Sequence, residues 1–215
     1  DDTLIGGTGD DSLIGGTGTD TISYAGIEVE STDPSPSLGV TANLAVAGAQ
    51  NTVRAGWDTL AGIENIRGSG YDDTLTGDGG DNLLTGDGGD DTITGGAGND
   101  VLEGGAGDDT LTGGAGVDTA SYADAPGGVT VDLSRSNDQD TVGAGNDTLT
   151  GIENLIGSDH DDRLTGNGEA NVIEGGLGNN VIDGGGGTDT VSYAHAESKV
   201  TVNLSLAVRQ ATGAG

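Results

Sequence analysis

Apolar residues recur at every ninth position through long stretches of this chain, separated by segments rich in glycine, aspartate and threonine. From 86 to 121 the sequence divides without slippage into GDGGDDTIT, GGAGNDVLE, GGAGDDTLT and GGAGVDTAS. Each unit has glycine at positions one and four, aspartate at position six and an apolar residue at position eight. Glycine tolerates the positive φ angles and close backbone contacts of a tight turn. The pattern therefore predicts a six-residue turn followed by a three-residue strand in every unit.

One apolar residue per unit cannot build an ordinary globular core, but stacked units can share a continuous one, as in solenoid proteins. We expect two nine-residue units to make one coil, with two short parallel sheets face to face. Helix is nearly excluded, because glycine occurs every second or third residue. The predicted fold is all-β, a right-handed parallel β-roll or β-helix solenoid. The side chains expected to point inward are Leu13, Ile22, Leu75, Leu84, Ile93, Leu102, Leu111, Leu164, Ile173, Ile182 and Val191, with the small Ala120 in the same position.

The unit G-G-x-G-x-D-x-U-x, in which U is apolar, resembles the calcium-binding nonapeptide of the RTX (repeats-in-toxin, hemolysin-type) family. Four tandem copies in register are far more specific than a single glycine-rich turn. The resemblance implies a parallel β-roll, several bound Ca²⁺ ions and a secreted or cell-surface bacterial protein exported by a type I system.

Repeats alternate with blocks that lack the nine-residue period. The repeat segments are 1–23, 68–121 and 157–192, and the blocks are 24–67, 122–156 and 193–215. Each block follows D-T-x-S-Y and contains an alternating segment, VTANL, VTVDL or VTVNL, which predicts a longer strand. The two complete blocks end in DTLAGIENIRGS and DTLTGIENLIGS. We interpret the blocks as wider rungs without calcium that stay in register with the roll.

The first repeat segment and the third block are both incomplete. DDTLI, at the start, matches only the second half of a repeat, and the third block stops early. We therefore expect this sequence to be part of a longer protein.

The family resemblance also implies the ligands. Each ion lies between turns two repeats apart, bound by backbone carbonyl groups of positions one to four and by position-six side chains. The implied position-six ligands are Asp2, Asp11, Asp20, Asp73, Asn82, Asp91, Asp100, Asp109, Asp118, Asp162, Asn171, Asn180 and Asp189. The implied glycine ligands are Gly86, Gly89, Gly95, Gly96, Gly98, Gly104, Gly105, Gly107, Gly113, Gly116, Gly175, Gly178, Gly184 and Gly187.

The implied sites differ in quality. Full aspartate pairs are Asp73 with Asp91, Asp91 with Asp109, and Asp100 with Asp118. Weaker sites, in which asparagine replaces one aspartate, are Asn82 with Asp100, Asp162 with Asn180, and Asn171 with Asp189. Asp2 pairs with Asp20 across an incomplete turn, and Asp11 has no partner at this spacing. Turns with Tyr71, His160 or Glu169 at position four depart from the motif.

Composition narrows the chemistry. The 215 residues include 36 acidic and 6 basic side chains, for a formal charge of −30. Such a chain repels itself unless it binds counter-ions, and it cannot neutralise the phosphates of nucleic acid. The absence of cysteine excludes disulfides and thiolate metal sites, so that oxygen ligands remain. No apolar run is long enough for a transmembrane helix, so we expect no membrane insertion.

Catalysis is not predicted. Adjacent acid pairs recur in too many units to mark one active site, and calcium accounts for them without a substrate. The leading hypothesis is a non-catalytic calcium-binding β-roll that folds on binding calcium after export. The alternatives are a structural repeat of a surface layer, adhesin or filament, which self-associates, and an accessory module of a secreted protease, lipase or epimerase, whose catalytic domain flanks it.

Overall fold

The computed structural model describes residues 1–27 and 38–196. Within these residues the chain forms 21 strands, and no helix is present, let alone one that could cross a membrane. The strands are β1 (Thr3–Leu4), β2 (Ser12–Ile14), β3 (Thr21–Ser23), β4 (Leu38–Asn43), β5 (Ala49–Asn51), β6 (Trp57–Ala61), β7 (Asn65–Arg67), β8 (Asp72–Thr76), β9 (Leu83–Gly88), β10 (Thr92–Ala97), β11 (Val101–Ala106), β12 (Thr110–Ala115), β13 (Thr119–Ser121), β14 (Thr130–Asp132), β15 (Gln139–Asp140), β16 (Asn146–Thr150), β17 (Asn154–Ile156), β18 (Arg163–Thr165), β19 (Val172–Glu174), β20 (Val181–Asp183) and β21 (Thr190–Ser192). The predicted all-β class is confirmed.

One face of the roll is a single parallel sheet. Its nine strands lie in the order β1-β3-β7-β9-β11-β13-β17-β19-β21, so strands that are neighbours in the sheet are never consecutive in the chain. Val101 pairs with Leu83 on one side and with Thr119 on the other, each two repeats away in the chain. This register confirms the predicted coil of two nine-residue units and the parallel β-roll.

The opposite face is divided into three sheets, β2-β6-β5, β4-β8-β10-β12-β16-β15 and β14-β18-β20. Each of the two complete blocks causes one division. Within it an antiparallel pair, β5 with β6 or β15 with β16, ends one sheet, and β4 or β14 begins the next. The blocks therefore continue the roll on both faces while reversing the chain once on the second face.

The core is a column of position-eight side chains. Leu75, Leu84, Ile93 and Leu102 are fully buried, and the small Ala120 is buried as well. The predicted inward set is buried except at its C-terminal end, where Ile182 is only partly buried and Val191 is 44 % exposed. Val191 lies in β21, which among the described residues is the last strand of the nine-stranded sheet and pairs only with β19.

The expectation of longer strands in the blocks is wrong for the second block. There β14 has three residues, whereas β9, β10, β11 and β12, all in the repeats, have six. The repeat strands are long because the ladder runs on into the next turn, where Gly96 pairs with Gly114 and Ala97 with Ala115. The third alternating segment, 200–204, lies outside the described residues.

Candidate metal centres

Stacking of the coils brings the turns into two columns. The first turn column precedes the strands of the nine-stranded sheet, and the second turn column precedes the strands of the opposite face. In the first column, position six is occupied in stacking order by Asp2, Asp20, Glu64, Asn82, Asp100, Asp118, Glu153, Asn171 and Asp189. In the second column the order is Asp11 and Asp58, then Asp73, Asp91, Asp109 and Asp147, then Asp162 and Asn180.

A hydrogen-bond ladder fixes the orientation of these side chains. The N–H of Asp91 donates to Oδ1 of Asp109 over 2.8 Å, and the N–H of Asp100 donates to Oδ1 of Asp118 over 2.8 Å. Asp73 donates in the same way to Asp91, over 2.7 Å. Each carboxylate thus uses one oxygen to join its turn to the previous coil, and its second oxygen is turned into the space between turns.

That second oxygen is unpartnered in six turns. Each is inaccessible to solvent and has no hydrogen-bond partner; the atoms are Oδ2 of Asp11, Asp20, Asp91, Asp100, Asp109 and Asp118. An anionic oxygen buried without a partner is strongly destabilising, because it has lost its hydration and gained no donor. A proton or a cation would satisfy these six oxygens.

Carbonyl oxygens converge on the same points. A Cβ added to Gly95 comes within 2.6 Å of the Gly113 carbonyl oxygen and also collides with Oδ2 of Asp100. Gly86 has the same surroundings, with the Gly104 carbonyl oxygen at 2.5 Å and Oδ2 of Asp91. Only glycine leaves room at position one, and the room is lined by oxygen.

The remaining glycines bring further carbonyl groups close. Gly98, at φ +114°, lies over the Gly80 carbonyl group of the preceding coil, and Gly107, at φ +143°, lies over that of Gly89. The other predicted glycines repeat these contacts: Gly104, Gly113 and Gly184 lie against the position-six carboxylate of their own repeat, and Gly175 against Asn180. Against carbonyl groups of the preceding coil lie Gly89, Gly96, Gly105, Gly116, Gly178 and Gly187.

The electrostatics agree with the geometry. Burial, with repulsion from Asp109 and Asp73, raises the pKa of Asp91 from 3.8 to about 8. Burial, with repulsion from Asp147, raises the pKa of Asp109 to about 7. The pKa of Asp100 is also raised, mainly by burial and then by Asp118. Burial thus disfavours the charged form of these carboxylates, and a divalent ion between the turns would offset that penalty by stabilising the charged form.

Calcium fits this donor set. Across the described residues, no three His, Cys, Asp or Glu side chains converge on one point, so a centre here draws on at most two acids, and backbone carbonyl groups lie beside them. Carboxylate and carbonyl oxygens in a flexible shell are the ligands that Ca²⁺ prefers. Softer metals select nitrogen and sulfur, which these turns lack.

Two predicted aspartates are satisfied by the protein alone. Oδ2 of Asp73 accepts from the Ser69 N–H at 2.5 Å, and Oδ1 accepts from the Ser69 hydroxyl and the Val40 N–H. Asp162 has the equivalent partners in the second copy of this turn. Serine at position two therefore satisfies the carboxylate whose second oxygen stays unpartnered in the six turns above.

The three asparagines act as donors. Nδ2 of Asn82 donates to the Glu64 carbonyl oxygen over 2.7 Å, and Nδ2 of Asn171 donates to that of Glu153 over 2.6 Å. Nδ2 of Asn180 donates to two carbonyl groups of its own turn. A side-chain amide thus occupies the carbonyl oxygens that an ion needs.

The two outermost aspartates occupy the ends of the first column. The N–H of Asp2 donates to Oδ1 of Asp20 over 2.6 Å, while the Asp2 side chain is exposed. Asp189 accepts from the Asn171 N–H over 3.1 Å and is also exposed. Neither carries a buried unpartnered oxygen.

Asp11, which has no partner at the two-repeat spacing, has one at a larger spacing. Its N–H donates to Oδ1 of Asp58 over 3.0 Å, across 47 residues of sequence. Asp109 donates likewise to Asp147, over 3.1 Å. The intervening block lengthens the chain without displacing the next turn, so a fixed spacing of two repeats fails at block boundaries.

Sequence reasoning missed four acids, all near the ends of the two blocks: Asp58, Glu64, Asp147 and Glu153. A signal was present for two of them. VRAGWDTLA and VGAGNDTLT match the nonapeptide at positions four, six and eight, with Asp58 and Asp147 at position six. The glutamates follow in GIENIR and GIENLI, which we call the short units (62–67 and 151–156), and their shorter length conceals the period.

A family model described as the RTX calcium-binding nonapeptide repeat matches the chain four times, over residues 1–26, 58–93, 85–120 and 156–191. Together these matches cover more than half of the chain. No curated protein matches it.

Proposed function

The chain belongs to the RTX calcium-binding nonapeptide repeat family, and from this premise we propose that it is a non-catalytic module that folds on binding several calcium ions. The observation that carries the proposal is the set of six buried carboxylate oxygens without partners. A protein that buries them must supply positive charge, and its 6 basic residues against 36 acidic ones cannot do so.

The best-formed sites lie in the central repeats. One ion binds between the turns of Asp91 and Asp109, and another between those of Asp100 and Asp118. Each has an unpartnered Oδ2 from the first turn and a position-one carbonyl oxygen from the second, Gly104 or Gly113. Further ions bind in the same two columns wherever an unpartnered oxygen faces the next turn.

Calcium binding then provides much of the folding free energy. The apolar core has one side chain per repeat, and the charge of −30 opposes compaction. A site filled at about 100 times its dissociation constant adds about 2.7 kcal/mol. Several such sites exceed what this narrow core supplies.

The cellular setting follows from this coupling. Extracellular calcium modules bind with dissociation constants in the range of about 10⁻⁴ to 10⁻³ M. A chain of this kind stays unfolded in the low calcium of the cytoplasm, which suits export, and folds outside. We propose a secreted or cell-surface location, with further domains of a longer chain beside the roll.

The test is a calcium titration followed by circular dichroism and light scattering, with magnesium as the control. Cooperative gain of β structure with calcium alone, at constant particle size, is the expected result. Growth of the particles with calcium supports a surface-assembly role instead. A chain that is fully folded in chelator overturns calcium-coupled folding.

A further inference from the structure

Glu64 and Glu153, in the two blocks, lie at the same place in the first turn column. We propose that each completes a calcium site with the preceding aspartate, Asp20 or Asp118, so that the blocks take part in metal binding. The inference rests on the proposed calcium function. It replaces the view that the blocks are rungs without calcium.

Both glutamates continue the hydrogen-bond ladder. Oε2 of Glu64 accepts from the Asp20 N–H over 2.8 Å, and Oε2 of Glu153 accepts from the Asp118 N–H over 2.8 Å. Asp118 itself accepts from Asp100 with the same separation. Each glutamate thus occupies the position that the second aspartate has in a regular site.

An unpartnered buried oxygen faces each glutamate turn. Oδ2 of Asp20 and Oδ2 of Asp118 have no hydrogen-bond partner, and both residues are 0 % exposed. These oxygens cannot be satisfied by the regular sites on the other side of their turns, because there the carboxylates contribute Oδ1 to the ladder.

Each glutamate site also has a position-one carbonyl oxygen, as a regular site does. A Cβ added to Gly15 meets the Gly62 carbonyl oxygen together with Oδ2 of Asp20, at 2.7 Å from the latter. A Cβ added to Gly113 meets the Gly151 carbonyl oxygen and Oδ2 of Asp118. Gly95 in the central repeats has the same two neighbours, a carbonyl oxygen and a carboxylate oxygen.

The short units explain why the acid is glutamate. A regular repeat has four residues between the position-one glycine and the position-six acid, whereas a short unit has only a buried isoleucine, Ile63 or Ile152. Its glycine takes a left-handed conformation, at φ +58° for Gly62 and +61° for Gly151. The longer glutamate side chain then spans the distance that a full turn otherwise covers.

The next coil leaves no place for an ion on the other side of each glutamate. The Nδ2 groups of Asn82 and Asn171 donate to the carbonyl oxygens of Glu64 and Glu153. Their Oδ1 atoms accept from the N–H groups of Asp78 and Asn167, which fixes the amide orientation. Each glutamate therefore faces an ion on one side only.

The test compares the double variant Glu64→Gln and Glu153→Gln with the wild-type chain by equilibrium dialysis and calorimetry. Glutamine keeps an oxygen that can accept from Asp20 or Asp118, so the ladder survives while the charge is lost. We expect two of the ions to bind at least about tenfold more weakly. The exposed Glu169→Gln is the matched control for loss of a glutamate charge, and it should leave all sites unchanged.

Two failures are distinguishable. If the wild-type chain binds calcium and the double variant binds the same number of ions with the same affinities as Glu169→Gln, the boundary sites are wrong. If the wild-type chain binds no calcium, the proposed function itself is wrong. Should the double variant not fold in calcium by circular dichroism, each single variant is measured and should weaken one ion.

Discussion

The residue at position six, together with the position-two residue that contacts it, determines how the buried polar atoms of each turn are satisfied. Aspartate leaves an oxygen for a cation, as at Asp100, whereas asparagine donates to carbonyl oxygens, as at Asn82. Aspartate beside a position-two serine, as at Asp73, is satisfied without either. Turns that look alike in a repeat pattern therefore have three different chemistries.

Replacing Asn82 with aspartate tests this distinction. The variant Asn82→Asp removes the amide donor and sets a carboxylate against the Glu64 carbonyl oxygen, an arrangement that only a cation stabilises. We expect one additional calcium ion by equilibrium dialysis and, at a calcium concentration that fills the other sites but leaves this one empty, a fold less stable by about 1–3 kcal/mol. The exposed Asn137→Asp adds the same charge away from the columns and serves as control. Unchanged stoichiometry would contradict the role given to the amide.

Within the regular repeats position six could be predicted from the sequence, but the chemistry of each turn could not be predicted in full. The nine-residue pattern places Asp73 and Asp91 alike, and only the fold shows that Ser69 donates twice to Asp73. The same holds for Asn82, since its amide contacts Glu64, which lies in another coil. Donor geometry depends on which turns stack, and the blocks change that.

At the level of strands and turns, the columns of carboxylates make stability depend on pH. Burial and neighbouring acids raise the pKa of Asp91 from 3.8 to about 8 and that of Asp109 to about 7. Between pH 3.8 and about pH 8, the folded chain without calcium therefore holds more protons than the unfolded chain. Its stability is therefore greatest near the lower limit and falls as the pH rises toward 8.

Thermal unfolding of calcium-free protein by circular dichroism, across this pH range, measures the effect. In the calcium-free protein we expect β structure only at the acid end of the range, with a melting temperature that falls as the pH rises until no folded state remains near neutral pH. The same series in excess calcium should show the opposite slope, because the ion replaces the protons. A calcium-free melting temperature that is constant or rises with pH would show that these carboxylates are not buried in the calcium-free fold.

Elements were predictable where the period holds and not where the chain departs from it. The apolar position-eight residues predicted the parallel ladders and the register of two repeats per coil. The antiparallel partner strand β15 and the short units were missed, because neither has a nine-residue spacing and both are determined by contacts with neighbouring coils. The local sequence predicts one coil of the roll, whereas contacts between stacked coils determine how a block joins two of them.

For the whole molecule, the unpartnered oxygens are unevenly distributed among the repeat segments. Four lie in 68–121 and two in 1–23, whereas 157–192 has none. The position-six residues of the last segment are instead satisfied by Ser158, by their own amides or by solvent. The continuous nine-stranded sheet still joins all three segments, so each is coupled to its neighbours only through stacking.

Hydrogen exchange at subsaturating calcium tests this division. Loss of one ion removes about 2.7 kcal/mol from a site that was filled at about 100 times its dissociation constant, so exchange in β10 and β12 should accelerate about a hundredfold. Strands β18 and β20 contact no such site and should change by less than about tenfold. Equal acceleration in both groups would mean that stacking couples the roll into one cooperative unit, in which calcium in the central segment holds the C-terminal repeats as well.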